Sequence, residues 1–329
     1  MLKVTAQAEK WPLAQRFTIA RGSKDAADVV LCTVTDGTHI GRGECVPYAR
    51  YGESLDSVIA QIQPLNDSLP VQNPRDVLQD ELPAGAARFA LDAALWDLEA
   101  KQSGTSIWNK LNIDTAAPLT TAYTISYDTA DKMAANAAKQ KDRPLLKIKL
   151  ASKDDIARLQ AVRDAVPDAD MIVDANEGWS LADFEMLVPT LQDCNVIAVE
   201  QPLPAGQDKA LKAGAYPFWL CADESVHARG SLPEIIGRYD MINIKLDKTG
   251  GLTEALALAQ DARAAGLRLM VGCMVGTSLA MAPAMAIAAH ADLVDLDGPL
   301  LLAKDRPGGM RFKGSLMAFP QPDFWGGAV

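Results

Sequence analysis

The chain has 329 residues, 49% of them hydrophobic, and a formal net charge of −10. That is enough apolar material for one large α/β barrel plus a smaller domain. The acidic balance repels nucleic acid and anionic lipid, which argues against both as partners.

The N-terminal MLKVTAQAEKWPL lacks the apolar core of a signal peptide. VVLCTVTDG and HIGRGEC read as two strands joined by a turn at Asp36-Gly37. Residues 54–63 and 86–101 read as helices, and Phe89, Leu91, Leu95, Trp96 and Leu98 give the second a broad buried face. Residues 1–115 are therefore expected to form an α+β capping domain. From 116 to 304 the pattern changes to strand-then-helix units. Strands are expected at 119–125, 145–150, 171–176, 196–201, 218–225, 241–246, 267–274 and 293–298, with helices such as 154–166 and 253–266 between them. Near-continuous apolar strands alternating with helices imply a parallel sheet covered by helices. Eight such units imply a (β/α)8-like barrel of TIM type. The stretch from Leu269 to Ala289 has no charge and approaches the length of a membrane span. Gly272, Gly276, Thr277, Ser278 and Pro283 interrupt it, so it reads as a strand followed by a buried alanine-rich helix. Residues 305–329 add no further unit and are expected to pack back on the capping domain.

The five cysteines include no CxxC pair, which fits reduced thiols in a cytoplasmic protein. The three histidines never fall at ligand spacing, so zinc is disfavoured. A metal here would rest on carboxylates, which favours Mg2+ with Mn2+ as a substitute.

Six polar residues end apolar runs: Lys149, Asp174, Glu200, Asp223, Lys245 and Asp297. Their spacings are 25, 26, 23, 22 and 52, and Cys273 divides the last into 28 and 24. Each interval is one strand plus one helix, and active sites of parallel barrels lie at the carboxyl ends of the strands. Asp174, Glu200 and Asp223 end three consecutive strands, where bare carboxylates repel one another and a divalent cation removes the conflict. Lys149 and Lys245 flank this trio on opposite sides. A lysine beside a bound cation and a second lysine, here Lys147 on the same strand face, is expected to shift toward the neutral amine. Two such lysines facing each other across a substrate would remove a proton from one face and return it to the other. Asp295 and Asp297 share one side of the last strand. They suit a substrate ammonium group, or else a pairing with a lysine.

These residues, in this order, resemble the enolase superfamily, muconate-cycloisomerase subgroup. The matching pieces are KIK at 147–149, DAN at 174–176, EQP at 200–202, DES at 223–225 and IKLDKTGG at 244–251. The likeness runs the whole chain and is nearest to dipeptide epimerases of the L-Ala-D/L-Glu type. WPLAQRFTIARGSK, PYARYGES, PAGAAR and CADES carry that finer likeness. The resemblance implies a dipeptide substrate whose C-terminal carboxylate binds Mg2+ held by Asp174, Glu200 and Asp223. It implies 1,1-proton transfer through an enediolate, with Lys149 and Lys245 as base and acid, in recycling of murein peptides. Lys147 would tune Lys149, Thr124 would line the pocket, and Asp295 and Asp297 would hold the ammonium. Lys24, where the group often has arginine, or Arg21 on the same loop (20–26) would meet an acidic side chain as the loop closes. A homo-oligomer is compatible with the pattern.

Two rival readings use the same residues. One is another superfamily reaction, such as cycloisomerisation, o-succinylbenzoate synthesis or N-acylamino acid racemisation, on substrates without an amino terminus. The other is a barrel that binds a metal or ligand without catalysis, which leaves the paired lysines without a purpose.

Overall fold

Three strands begin the chain in the computed structural model, which describes residues 1–152 and 155–328. β1 (Lys3–Ile19), β2 (Gly22–Thr35) and β3 (Ile40–Cys45) form an antiparallel meander. β1 is longer than anything the pattern suggested, and the segment 20–26 is not an open loop. β2 starts at Gly22, so only Ala20 and Arg21 lie between the strands. Residues of β1 are mostly exposed or half-buried, which is why no clean alternation marks it. Gly41 and Gly43 of β3 lie against α3 (Ala86–Ser103). A Cβ at these positions would stand 2.0 Å from the Ala94 carbonyl oxygen and 2.1 Å from that of Ala90. Glycine here allows the helix backbone to meet the sheet directly. The shorter α1 (Leu55–Ile62), α2 (Pro74–Glu81) and α4 (Ile107–Lys110) complete this part, with Ser54 and Ser57 forming a reciprocal cap on α1.

The expected strand at 119–125 is two pieces. β4 (Leu119–Thr120) pairs outside the barrel, and β5 (Tyr123–Ile125) opens it. β6 (Leu145–Lys149), β7 (Asp170–Asp174), β8 (Val196–Glu200), β9 (Trp219–Ala222), β10 (Met241–Ile244), β11 (Arg268–Gly272) and β12 (Leu293–Asp295) follow in parallel, each paired with its predecessor. The amide of Ala122 donates to the carbonyl of Val294 at 2.8 Å, bringing the two edges together in a nearly closed barrel. The outer helices are α5 (Ala130–Ala138), α6 (Ile156–Ala165), α7 (Leu181–Asp193), α8 (Leu232–Ile235), α9 (Leu246–Thr249), α10 (Leu252–Ala264), α11 (Ser278–Ala288) and α12 (Gly298–Leu301). Asp154, where the expected helix 154–166 begins, lies outside the described residues. The β9–β10 crossover is covered by a 3-10 turn (Arg229–Ser231) and the single turn α8. The uncharged stretch is β11 followed by α11, every residue of which is buried. Among the described residues no helix is long and apolar enough to cross a membrane.

The tail does two things. β13 (Phe312–Lys313) pairs with β14 (Leu316–Met317), which pairs with β4. Trp325 then donates its indole N–H to Ala93 of α3, and Arg306 binds Glu9 and Glu44 of the N-terminal sheet.

Candidate active site

Side chains of a strand alternate in direction, so each barrel strand sends a column of every second residue inward. The lowest inward layer is apolar, with one residue from each unit: Ala122, Leu145, Ile172, Ala198, Cys221, Met241, Met270 and Leu293. Two and four residues further on, the same columns turn polar. They supply Lys147 and Lys149, Asp174, Glu200, Asp223, Asn243 and Lys245, and Asp295 and Asp297. In the sheet register Lys149 pairs with Asp174 and Asp174 with Glu200, so these groups emerge at one level. All of them are buried.

Lys147 Nζ lies 2.6 Å from Glu200, 2.8 Å from Asp295 and 3.2 Å from Asp174. Burial, the largest single influence, works against its ammonium form, but Asp295, Glu200 and Asp174 outweigh it and hold the pKa well above that of a free lysine. Lys245 Nζ lies 2.7 Å from Asp223 and 3.7 Å from Glu200. Burial again opposes the charge, and Asp223 and Glu200 again prevail. The drift toward the neutral amine is expected of a lysine beside a bound cation, and these carboxylates alone hold Lys245 as the ammonium. Lys149 Nζ is 2.6 Å from Asp174. Two residues that the motif reading passed over join the cluster. Lys248, buried on α9, donates to the Asp223 carboxylate at 2.6 Å and to its carbonyl oxygen at 2.5 Å. Asn243 donates to Glu200 at 2.8 Å, and it fits inside the barrel because Gly272 beside it has no Cβ.

As the side chains stand, no three His, Cys, Asp or Glu residues among those described close around one point as metal ligands. The ammonium groups of Lys147 and Lys245 lie between the carboxylates instead. The donor set nevertheless fits a hard divalent cation. Buried oxygens of Asn176, Glu200, Glu224, Asn243 and Asp295 have no hydrogen bond, although Lys147 is in ion-pair contact with the Glu200 oxygen. Buried acceptors left this way call for a ligand. Glu200 is pushed up by burial and then by Asp174, which is the carboxylate conflict that a cation relieves.

Lys149 and Lys245 stand on β6 and after β10, with β7, β8 and β9 between them, so they approach the mouth from opposite sides. Both line a cavity of about 480 Å³ with Thr124, Asp295 and Asp297. Asp295 gives one oxygen to Lys147 and leaves the other, buried, without a partner. Asp297 accepts from the backbone N–H of Thr124 at 2.6 Å. Burial and then Asp295 push its pKa up to about 7. The N-terminal hairpin roofs the cavity. Lys24 lines it and lies 5.5 Å from the centre of the Tyr48 ring; burial lowers its pKa. Arg21 also lines it, but its guanidinium is spent on Glu224 at 2.6 Å, the Asn176 carbonyl at 2.9 Å, Glu177 at 3.2 Å and the Tyr48 hydroxyl. Gln201, the middle residue of EQP, accepts the backbone N–H groups of Asp223 and Ser225 on its side-chain oxygen, tying two strand ends together.

The chain resembles known proteins over most of its length. Residues 1–111 match the mandelate racemase/muconate lactonizing enzyme N-terminal domain family, and residues 130–320 match the enolase C-terminal domain-like family. The chain is 46% identical to L-Ala-D/L-Glu epimerase of Escherichia coli strain K12, over 95% of this chain and 98% of the relative. It is 45% identical to N-acetyl-D-glutamate racemase of a Pseudoalteromonas species, over 91% and 96% respectively. An enolase family member from Agrobacterium tumefaciens with homology to dipeptide epimerases, solved with sodium, L-Ala-L-Glu and an ordered loop, superposes with a TM-score of 0.96. It is 49% identical, covering 99% of this chain and all of that one. The dipeptide epimerase of Cytophaga hutchinsonii, complexed with Mg and D-Ala-L-Val, gives a TM-score of 0.91 at 26% identity, covering 97% of this chain and 94% of that one.

Proposed function

The chain belongs to the mandelate racemase/muconate lactonizing enzyme family of the enolase superfamily, and we propose that it epimerises dipeptides of the L-Ala-D/L-Glu type. The observation that carries this reading is the pair of lysines on opposite sides of a carboxylate-lined mouth, with an aspartate pair at the far edge of the same cavity. Asp174, Glu200 and Asp223 would hold Mg2+, which when bound neutralises charge on the substrate carboxylate as the α-proton leaves. Lys149 and Lys245 carry the proton away from one face of the α-carbon and deliver it to the other. Asp297 and the free oxygen of Asp295 orient the substrate ammonium, and Thr124 fixes Asp297 through its backbone. Lys147 balances the charge of Asp174, Glu200 and Asp295. Lys24 is the cavity cation best placed for a glutamyl side chain, since Arg21 is committed elsewhere. Five free cysteines, four of them buried, fit cytoplasmic residence. A role in recycling murein peptides follows from the same sequence likeness.

L-Ala-L-Glu and N-acetylglutamate share an N-acylated glutamate and differ at the ammonium-bearing carbon of the alanyl group. The aspartate pair therefore favours the dipeptide over the racemase reading. The test is a dipeptide library incubated with enzyme and Mg2+ in D2O and read by mass spectrometry. Gain of one deuterium at the α-position, together with the second epimer, is expected for L-Ala-L-Glu. Lys149→Ala and Lys245→Ala should each abolish epimerisation, and near-wild-type turnover in either would refute the two-lysine scheme.

A further inference from the structure

The roof of the cavity is a ribbon that does not hold itself in place. β3 pairs only with Val30–Thr35 of β2, so the distal half of the β1–β2 hairpin is two-stranded. Its register breaks between Pro12 and Phe17, and only three residue pairs, Phe17–Lys24, Thr18–Ser23 and Ile19–Gly22, lie beyond the break. A two-stranded ribbon of that length is marginal in water. At the register break the barrel holds β1 through the Leu13–Leu302 bridge and the Ala303 amide on Pro12, and the tip beyond it, residues 17–24, is held to the barrel at two points among the described residues. On one side the Thr18 N–H donates to the Ser126 hydroxyl, and the Thr18 carbonyl accepts from that hydroxyl and from the Tyr127 amide, just past β5. On the other, Arg21 reaches the loops that follow β7 and β9. Glu177 is the centre of that second contact. It takes Arg21 at 3.2 Å and both arms of Arg50 at 3.0 Å, and it also accepts the amide of Ala205. Asn176 and Glu177 both have positive φ, 47° and 69°, a conformation that non-glycine residues hold only when their surroundings enforce it.

We propose that Arg21 is a positioning residue, a latch that fastens the hairpin to Glu177 and Glu224, and that it does not bind the substrate side chain. Glu177 lies three residues after Asp174, and Glu224 directly follows Asp223. The latch thus grips the two loops that carry carboxylates of the site, and the roof closes only when those loops are in place. Lys24, three residues along the same ribbon, is held in the cavity as a consequence. This inference rests on the epimerase reading only for its kinetic arm.

Hydrogen exchange of the substrate-free protein tests the latch without any turnover. In Arg21→Ala, backbone amides of residues 17–24 should exchange on the order of tenfold faster or more, the range expected for losing hydrogen bonds to charged groups, while the barrel strands keep wild-type protection. Glu177→Gln should show a smaller change of the same pattern, and Arg21→Lys should restore part of the protection. In turnover, the KM of Arg21→Ala should rise for both L-Ala-L-Glu and L-Ala-L-Ala, and more for L-Ala-L-Glu because Lys24 is released with the hairpin. Unchanged exchange at residues 17–24 would overturn the proposal, and joined to a KM rise confined to L-Ala-L-Glu it would make Arg21 a side-chain ligand. Absence of epimerisation in every variant and in the wild type would remove the function reading and leave the exchange result standing.

Discussion

Asp297→Asn isolates the ammonium contact from the rest of the chemistry. Asparagine keeps the shape and an acceptor oxygen for the Thr124 amide, which lies 2.6 Å away, but removes the charge. The site is buried, and losing one member of a buried, hydrogen-bonded charge pair costs about 2–5 kcal/mol. At about 1.4 kcal/mol per decade, that is roughly 30-fold to several-thousand-fold in kcat/KM. The partly free Asp295 moves the expectation toward the lower end. The assay is NMR-detected α-deuteration of L-Ala-L-Glu and, separately, N-acetyl-L-glutamate, which has no ammonium. The variant should lose activity on the dipeptide and keep or improve whatever activity the wild type shows on the N-acetyl compound. A pH profile adds an independent check. Burial and Asp295 raise the Asp297 pKa to about 7, so its negative form is lost as the pH falls through that value. For the dipeptide, kcat/KM should then decline below about pH 7 in the wild type, and Asp297→Asn should lack that limb. Equal losses on both substrates, or no loss on either, would refute the ammonium assignment.

Three further outcomes are expected. Chelation should abolish exchange, and adding Mg2+ to the chelated protein should raise its melting temperature, a response that Asp223→Asn should weaken. Lys24→Ala should raise KM for L-Ala-L-Glu by roughly tenfold to a hundredfold, as expected for a hydrogen bond to a charged group, and leave L-Ala-L-Ala little changed; calorimetric titration of both dipeptides checks it. Asp247, buried and accepting the Val46 amide at 2.7 Å, has its pKa pushed up to about 8, chiefly by burial. Its folded-state pKa exceeds the unfolded one, so native stability is lost as pH rises from about 4 to about 8. Asp247→Asn should therefore gain stability with rising pH over that window, by on the order of a few kcal/mol at pH 8. Denaturant melts at pH 5 and pH 8 that differ by the same amount in both proteins would count against this account.

What could be read from the chain follows from how each residue reaches the site. Lys149, Asp174, Glu200 and Lys245 were visible because a barrel strand buried on both faces is an apolar run, and a charge at its end interrupts that run. The hairpin was not visible in the same way. β1 is exposed along most of its length, so no burial pattern forced its residues to alternate, and Arg21 could not be told from a solvated loop charge. Its partners Glu177 and Glu224 lie in loops, where spacing carries no register. The expected strand 119–125 failed for a different reason. Its halves serve two sheets, and the break at Thr121 and Ala122 is set by bonds to Ser315 and Val294, far away in sequence.

Lys248 is the instructive omission, because local geometry does point to it. The strand ends at Ile244, Lys245 is the first residue beyond it and the N-cap of the single-turn α9, and helical spacing returns the third residue to the same side. A lysine at the barrel mouth followed by another three residues later therefore places two ammonium groups on the neighbouring strand end, which is Asp223. Lys245 takes one oxygen of that carboxylate at 2.7 Å and Lys248 takes the other at 2.6 Å. Burial lowers the pKa of Lys248, so its charge is kept only by what surrounds it. Lys248 thus holds Asp223 and leaves the mouth to Lys245, the one lysine of the two that lines the cavity.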